Sequence, residues 1–201
     1  MEICTRLYLI RHGQVVNSGQ GVFNGQANVN LSSRGVEQME IIAERLKDIA
    51  VGGVYCSDLS RAQKGAEIIA SRHGLTPVIY AAFRELNIGL WEGLTFEQVQ
   101  QMFPGAIEER GKNLVHYRVP QGESLGDLSW RVLSAIKSVI TRHHGENVVL
   151  VAHGGVNRVI IVNAIKLDLK NFYNLEQDYG CLNIIDYYAD TAVLKLMNES
   201  V

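Results

Sequence analysis

The stretch Leu7-Tyr8-Leu9-Ile10-Arg11-His12-Gly13 decides the fold class, because an apolar run leads directly into a basic pair and a glycine. A second junction of the same kind comes much later, where Val148-Val149-Leu150-Val151-Ala152 leads into His153-Gly154-Gly155. Each run predicts a buried strand. Ligands of α/β sheets bind at the carboxyl ends of the strands. If these two strands are neighbours, the two histidines face one another across a candidate site.

Strand-like and helical patterns alternate along most of the chain. Strands are predicted at 5–10, 53–56, 77–80, 147–152, 181–188 and 191–197, and helices at 33–49, 59–72, 125–143 and 156–165. Ser32 or Ser33 is available to cap the first helix, and Ser57 the second. This alternation predicts an α/β fold, a three-layer α/β/α sandwich with a mostly parallel central sheet. A turn at Ala189-Asp190 predicts a terminal hairpin, and with it an antiparallel edge strand.

The chain has 201 residues, which predicts a single domain over 1–201. Two stretches, about 14–32 and about 104–122, lack a clear helical or strand period. We expect them to be loop insertions over the active site, where such segments contribute to substrate choice.

Composition argues against several classes of partner. A formal net charge of -2 gives no general affinity for nucleic acid or for an anionic membrane, so any anion binding must be local. Cys4, Cys56 and Cys181 form no C-x-x-C pair, which favours a reducing cytoplasm over a disulfide framework or a zinc site. No signal peptide or transmembrane run is evident, and the sequence carries no signal for an oligomeric state.

Basic residues recur at the predicted junctions between strands and helices. His12 alone would be read as a polar residue in a turn, but Arg11 precedes it, and we expect Gly13 to let a ligand approach the backbone. Arg61 is expected in the first turn of a helix, where its donors would add to the free N–H groups that bind phosphate or carboxylate. Alternatively, Arg61 is a solvent-exposed residue on the surface of this helix.

A carboxylate completes the set. Glu85 lies next to a compact loop that contains Trp91, and together with the histidines and arginines it meets the needs of phosphoryl transfer through a covalent intermediate. One imidazole attacks phosphorus, the cationic groups hold the oxygens, and a carboxylic acid protonates the departing alkoxide. The sequence has no P-loop, no H-E-x-x-H and no aspartate cluster suited to magnesium, so we expect no metal and no cofactor.

Five motifs in order resemble the signature of the histidine phosphatase superfamily, the phosphoglycerate mutase-like group. They are Arg11-His12-Gly13, Ser57-Asp58-Leu59-x-Arg61-Ala62, Glu85-Leu86-x-x-Gly89-x-Trp91-Glu92-Gly93, Gly122-Glu123-Ser124 and His153-Gly154. The resemblance spans about 7–155 and implies a phosphorylated nucleophile at His12, a phosphate pocket of Arg11, Arg61 and His153, and a proton donor at Glu85.

The resemblance also implies substrate contacts from Asn17, Asn24, Gly25 and Gly154. Val15, Ser18 and Gly65 depart from residues common in the family, and Asn17 lies one place earlier than the family's asparagine. These departures concern secondary contacts, so they bear on substrate binding more than on the chemistry.

The segment after Glu85 resembles the phosphatase branch of the superfamily rather than its mutases, so we expect hydrolysis of a small-molecule phosphate monoester. Within that branch, Glu85-Leu86-Asn87, Gly122-Glu123-Ser124 and Asp178-x-Gly180-Cys181 resemble the alpha-ribazole phosphatases of cobalamin biosynthesis. Phe23, Trp91, Phe103 and Tyr117 are available either as walls for an apolar base or as loop packing. A phosphoglycerate mutase, a broad-specificity phosphatase and an inactive phosphate-binding module remain alternatives.

Overall fold

A computed structural model describes residues 4–200 of the chain. Its sheet has six strands, β1 (Thr5–Arg11), β2 (Val51–Cys56), β3 (Val78–Ile79), β4 (Asn147–Ala152), β5 (Leu182–Tyr187) and β6 (Ala192–Glu199). They lie in the order β3-β2-β4-β1-β5-β6. The first four strands are parallel, whereas β5 pairs antiparallel with both β1 and β6. The predicted mostly parallel sheet with an antiparallel edge is confirmed.

Six α-helices connect and cover the strands: α1 (Ser33–Leu46), α2 (Ser60–Ser71), α3 (Phe96–Met102), α4 (Ala106–Lys112), α5 (Leu125–Arg142) and α6 (Gly154–Ala164). Short 3₁₀ turns lie at Ala81–Phe83, Gly89–Trp91 and Leu169–Asn174. The helix α4 corrects the expectation of an irregular segment over 104–122, because a short charged helix occupies part of it.

Side chains on the two faces of the sheet enter two different hydrophobic clusters. Leu7 and Leu9 of β1 pack into the cluster that α5 and α6 complete. Tyr8 and Ile10 pack into the cluster of α1 and α2 on the opposite face. Because successive residues of a strand point to opposite faces, the run at 7–10 is apolar throughout, and the predicted three-layer sandwich is confirmed.

Two of the predicted helix caps have different outcomes. Ser32 caps α1, since its side chain accepts a hydrogen bond from the Gly35 amide. Ser57 does not cap α2, whose N-cap position is Leu59 without a side-chain hydrogen bond. The Ser57 hydroxyl lies instead beside His153, so the serine that was expected to start a helix belongs to the site.

Gly13 has a structural role that differs from the expected one. A Cβ on Gly13 would lie 2.2 Å from the carbonyl oxygen of Gly35, and a Cβ on Gly35 would lie 2.0 Å from that of Gln14. The loop after β1 therefore crosses the first turn of α1 backbone against backbone. This close packing requires a glycine at position 13.

We predict that Gly35→Ala lowers the free energy of unfolding by about 3 kcal/mol, because neither backbone can move away without disturbing β1 or α1. Gly19→Ala is the matched control, since nothing lies within 4 Å of a Cβ built there. Urea unfolding of both variants measures the difference. Equal stability of the two would contradict this account of the crossing.

Candidate active site

The two histidines follow neighbouring parallel strands. In the pairing of β1 with β4, Arg11 is opposite Ala152, so His12 and His153 each come one residue after matched positions. Their ring centroids lie 5.1 Å apart at an interplanar angle of 63°. Both side chains are buried. The expectation that the two junctions lie side by side is confirmed.

The tautomer of His12 follows from its contact with the backbone. Its Nδ1 lies 2.8 Å from the carbonyl oxygen of Gly13, and a carbonyl can only accept, so Nδ1 carries the proton. Nε2 therefore presents its lone pair. The Nε–H of Arg61 donates to this lone pair over 3.2 Å, so Nε2 is the unprotonated nitrogen of the ring and a guanidinium lies beside it.

Burial and neighbouring charge keep His12 neutral. Burial lowers the pKa of His12 well below its ordinary value of 6.5, and the positive charges of Arg11 and Arg61 lower it further. The pKa of His153 is lowered in the same way, first by burial and then by His12 and the arginines. Both imidazoles are thus neutral at physiological pH, as a nucleophilic histidine must be.

Backbone carbonyls, not carboxylates, orient the arginines of the site. Arg61 donates from Nη1 to Ala27 over 2.7 Å and from Nη2 to Gly25 over 2.8 Å. Arg11 donates from Nη1 to the carbonyl of Gln177 over 2.6 Å, and its guanidinium lies 3.8 Å above the ring of Tyr179. Among residues 4–200 neither arginine forms a salt bridge. Their charge remains available to an anion.

Ser57 is the side-chain partner of His153. The Ser57 Oγ lies 2.7 Å from Nε2 of His153 and accepts the amide of Leu59 over 3.3 Å. When the serine hydroxyl donates to Nε2, the ring carries its own proton on Nδ1. Within the described part of the chain, Nδ1 of His153 and Nε of Arg11 are buried without a hydrogen-bond partner. Buried polar groups are normally paired, so the lack of a partner indicates that a ligand forms hydrogen bonds with these two nitrogens.

The Glu85 carboxyl group contacts the first turn of α6, the helix that follows His153. Its Oε2 accepts the Gly155 amide at the start of α6 over 3.0 Å, and its Oε1 accepts the Leu86 amide over 2.7 Å. A Cβ on Gly155 would lie 2.3 Å from Oε1. The glycine therefore allows the carboxyl group to reach the helix end, two residues after His153.

The groups meet at a cavity of about 260 Å³. Its lining includes six of the nine predicted catalytic and binding residues, whereas the fully buried His153 is outside it. The lining residues are Arg11, His12, Val22, Phe23, Asn24, Gly25, Arg61, Glu85, Leu86, Ile88, Trp91, Arg110, Gly155, Arg158, Phe172, Tyr173 and Tyr179. Asn24 and Gly25 thus lie where the sequence predicted contacts with a substrate.

Asn17 and Gly154 lie outside this lining. Asn17 forms two side-chain hydrogen bonds with Asn24, of 2.7 Å and 3.2 Å, and so supports the residue that lines the cavity. A Cβ on Gly154 would lie 3.2 Å from Nη1 of Arg158 and 3.6 Å from Nε of Arg11. Gly154 therefore leaves space for two arginines.

The aromatic residues divide between the cavity and the core. Phe23 and Trp91 line the cavity with ring centroids 6.1 Å apart, although Trp91 is also a buried core residue. Phe103 and Tyr117 pack against the core cluster instead. Loop packing is therefore the right interpretation for these last two.

Several residues of the site were missed by the sequence reasoning. Arg158, Phe172, Tyr173 and Tyr179 line the cavity, and Arg131 binds the backbone around Glu85. Arg158 could have been found, because it is one helical turn after Gly154 in a helix that begins at the site. The other residues come from elements remote in sequence and carry no local signal.

Residues 4–200 contain neither a membrane-spanning helix nor a cluster of metal ligands. No helix there is long and apolar enough to cross a membrane. No group of three or more His, Cys, Asp and Glu side chains is placed to hold a metal ion.

Comparison with known proteins gives the family. The sequence model of the histidine phosphatase superfamily (branch 1) matches residues 7–200. The chain is 28% identical over 194 residues to the adenosylcobalamin/alpha-ribazole phosphatase of Escherichia coli, covering 96% of each chain. It is 33% identical over 161 residues to phosphoglycerate mutase-like protein 4 of Arabidopsis thaliana, covering 79% of this chain and 70% of that protein.

A solved structure gives the same result. The mycobacterial glucosyl-3-phosphoglycerate phosphatase, in its complex with VO3, superposes with a TM-score of 0.87 at 28% identity, covering 97% of this chain and 99% of that one. The chain belongs to the histidine phosphatase superfamily, branch 1. The predicted family, fold and phosphatase class of enzyme are confirmed.

The lowered pKa values of the two histidines predict a loss of stability in acid. Below pH 6.5 the unfolded chain binds protons at these positions while the folded chain does not, so the free energy of unfolding falls as the pH falls. Urea unfolding at a series of pH values from 7.5 to about 5 measures this slope. Replacing both histidines by Asn should make it shallower. An unchanged slope would show that the two rings already titrate normally in the folded protein.

Proposed function

We propose that the protein hydrolyses phosphate monoesters through a phosphohistidine at His12. The observation that carries this proposal is the unprotonated Nε2 of His12, in a ring whose Nδ1 is bound to the Gly13 carbonyl and whose Nε2 faces the Arg61 guanidinium. Arg11 and Arg61 without carboxylate partners, and the unpaired Nδ1 of His153, supply donors for the equatorial oxygens of a phosphoryl group.

In the first step Nε2 of His12 attacks phosphorus, and the bond from phosphorus to the ester oxygen breaks. The incoming phosphoryl group replaces His12 as the acceptor for the Arg61 Nε–H. Glu85, as the carboxylic acid, transfers its proton to the departing alkoxide, which leaves as an alcohol. Ser57 keeps the proton of His153 on Nδ1, where it can donate to a phosphoryl oxygen.

In the second step Glu85, now a carboxylate, takes a proton from water. The water oxygen forms a bond to phosphorus while the bond from phosphorus to Nε2 breaks, which releases inorganic phosphate and restores the proton on Glu85. No step requires a metal ion or another cofactor. A mutase would return the phosphoryl group to its substrate instead, and the phosphatase-like segment after Glu85 favours water as the acceptor.

For the organic part of the substrate we propose an apolar group such as that of alpha-ribazole 5'-phosphate, which would place the enzyme in cobalamin biosynthesis in the cytoplasm. The same cavity that contains the proposed phosphate-binding residues has apolar lining from Phe23, Ile88 and Phe172. The relative from Escherichia coli, named for alpha-ribazole, supports the same choice. We treat residues 1–201 as one domain, with 14–32 and 104–122 contributing to specificity.

A second candidate is a monoester that carries a carboxylate. Arg110 and Arg158 line the outer cavity, and neither forms a salt bridge among residues 4–200. Arg158 is oriented by the carbonyl of Leu175 at 2.6 Å, and Arg110 by the Tyr173 hydroxyl at 2.8 Å. Two unpaired guanidinium groups beyond the phosphate pocket favour a second acidic group on the substrate.

An inactive phosphate-binding module is the alternative from another class. The nucleophile, its flanking arginines and the carboxyl group of Glu85 all line one cavity, and a module that only bound phosphate would not need Glu85. Catalysis is therefore the better explanation of this arrangement.

We predict that His12→Ala lowers kcat for p-nitrophenyl phosphate by more than about 10⁴-fold, because no neighbouring group can form the covalent intermediate. A reaction with ³²P-labelled substrate is quenched, and the labelled protein is then treated with acid. Histidine phosphate is lost in acid, whereas serine phosphate is stable. The label should be acid-labile in the parent protein and absent in the variant.

The same assay run with EDTA should give an unchanged rate, and vanadate should inhibit because its five-coordinate adducts imitate the transition state. Activity that disappears in EDTA and returns with added metal would refute the proposed chemistry. Full activity of the His12 variant would do the same.

Substrate class is tested with matched pairs. A preference for alpha-ribazole 5'-phosphate over ribose 5-phosphate, seen in kcat/KM, supports the apolar base, and Phe23→Ala should reduce it. A preference for 3-phosphoglycerate over glycerol 3-phosphate supports the carboxylate, and Arg158→Met should reduce it about tenfold or more. Interconversion of 2- and 3-phosphoglycerate without phosphate release would instead identify a mutase.

A further inference from the structure

Glu85 lies in a segment without regular secondary structure. Residues 84–88 separate the 3₁₀ turn at Ala81–Phe83 from the one at Gly89–Trp91. No helix or strand ladder fixes the backbone there, whereas His12, Arg61 and His153 each follow or begin a regular element. The position of the proton donor therefore depends on contacts from outside its own segment.

Arg131 of α5 provides these contacts with its whole guanidinium. Its Nη1 donates to the carbonyls of Ala82 at 2.7 Å and Arg84 at 2.8 Å. Its Nη2 donates to the carbonyl of Glu85 at 3.0 Å and to Oε1 of Glu123 at 2.5 Å, and its Nε donates to Oε2 of Glu123 at 3.0 Å. An arginine has five N–H donors, and here all five are used.

Glu123 connects the same segment to the start of α5. Besides accepting from Arg131, its Oε1 accepts the Asn87 amide over 2.9 Å, and its own amide donates to the Asn87 carbonyl over 2.9 Å. Ser124 then caps α5 by accepting the Asp127 amide. This accounts for Gly122-Glu123-Ser124, a motif of the signature that supplies no residue to the lining of the cavity.

The pair is shielded from solvent but does not contact the substrate. The side chains of Arg131 and Glu123 are 19% and 15% exposed, so their charge-assisted hydrogen bonds compete with little water. Neither residue is in the lining of the cavity. Arg131 therefore acts on the reaction without touching the substrate, and the segment that it holds carries Glu85.

We propose that Arg131, oriented by Glu123, is a positioning residue for the proton donor. By fixing the carbonyls at 82, 84 and 85 it directs the Glu85 carboxyl group toward the Gly155 amide and the leaving oxygen. The inference rests on the proposed function, since it assumes that Glu85 protonates the alcohol. A general acid must be within hydrogen-bond reach of its target oxygen, so a loose segment would cost proton transfer and not phosphate binding.

The test compares leaving groups. The p-nitrophenolate group departs readily without a proton, whereas the alkoxide of glycerol 3-phosphate needs one. We expect Arg131→Met to lower kcat/KM for glycerol 3-phosphate at least about tenfold more than kcat/KM for p-nitrophenyl phosphate. This ratio reports the departure of the leaving group and excludes the later hydrolysis step, which is the same for both substrates. Arg131→Lys should recover part of the loss, because an ammonium can still pair with Glu123 but cannot reach all three carbonyls.

The matched control is Arg6→Met. Arg6 also forms a two-pronged pair, with Asp186 at 2.6 Å and 2.7 Å, but at the other end of β1. It should lower Tm without changing the ratio of the two rates. If Arg131→Met lowers both rates equally, as a purely structural role requires, the inference is wrong.

Glu85→Gln separates this inference from the function on which it rests. The variant should show the leaving-group effect at full size, and Arg131→Met should add little to it in the double variant. If Glu85→Gln has no such effect, the proposed acid is wrong and the positioning role is refuted with it. If Glu85→Gln shows it and Arg131→Met does not, only the positioning role is refuted.

Discussion

The parallel register of β1 and β4 is the constraint on which the site depends. Arg11 is opposite Ala152, so His12 and His153 follow their strands at the same level of the sheet's carboxyl edge. A shift by one residue would turn every side chain of the strand to the opposite face, moving Leu7 and Leu9 out of their core cluster. The apolar packing that fixes the register therefore also fixes the distance between the two imidazoles.

A second constraint is electrostatic. Three arginines of the cavity are oriented by carbonyl oxygens, at Gln177 for Arg11, at Gly25 and Ala27 for Arg61, and at Leu175 for Arg158. A carbonyl dipole fixes a guanidinium without neutralising it, whereas a carboxylate partner would compete with the substrate. The cavity thus concentrates positive charge that is available to an anion. Burial first, and then the charges of Arg11 and Arg61, lower the pKa of His12 and keep it neutral.

Arg131 shows the opposite use of an arginine. It is paired with Glu123 and bound to three carbonyls, so its charge is largely satisfied within the protein. The arginines of the first kind line the cavity with their charge available to an anion, and Arg131 holds the backbone around Glu85.

The sequence by itself determined the order of the six strands and of the helices α1, α2, α5 and α6, the apolar faces of the sheet and the residues at its carboxyl edge. The short helices α3 and α4 were not predicted. His12, Arg61 and Glu85 could be predicted because each lies in a motif that local patterns or family resemblance place at a junction. Only the tertiary structure decided that Ser57 binds His153 instead of capping α2, that Asn17 supports Asn24, and that Gly13 is needed for its contact with Gly35. It alone also brought Arg131, Phe172 and Tyr179 to the site. The physical reason is that hydrophobic periodicity and cap residues are local properties of the chain, whereas hydrogen-bond partners of buried groups are set by packing between segments far apart in sequence.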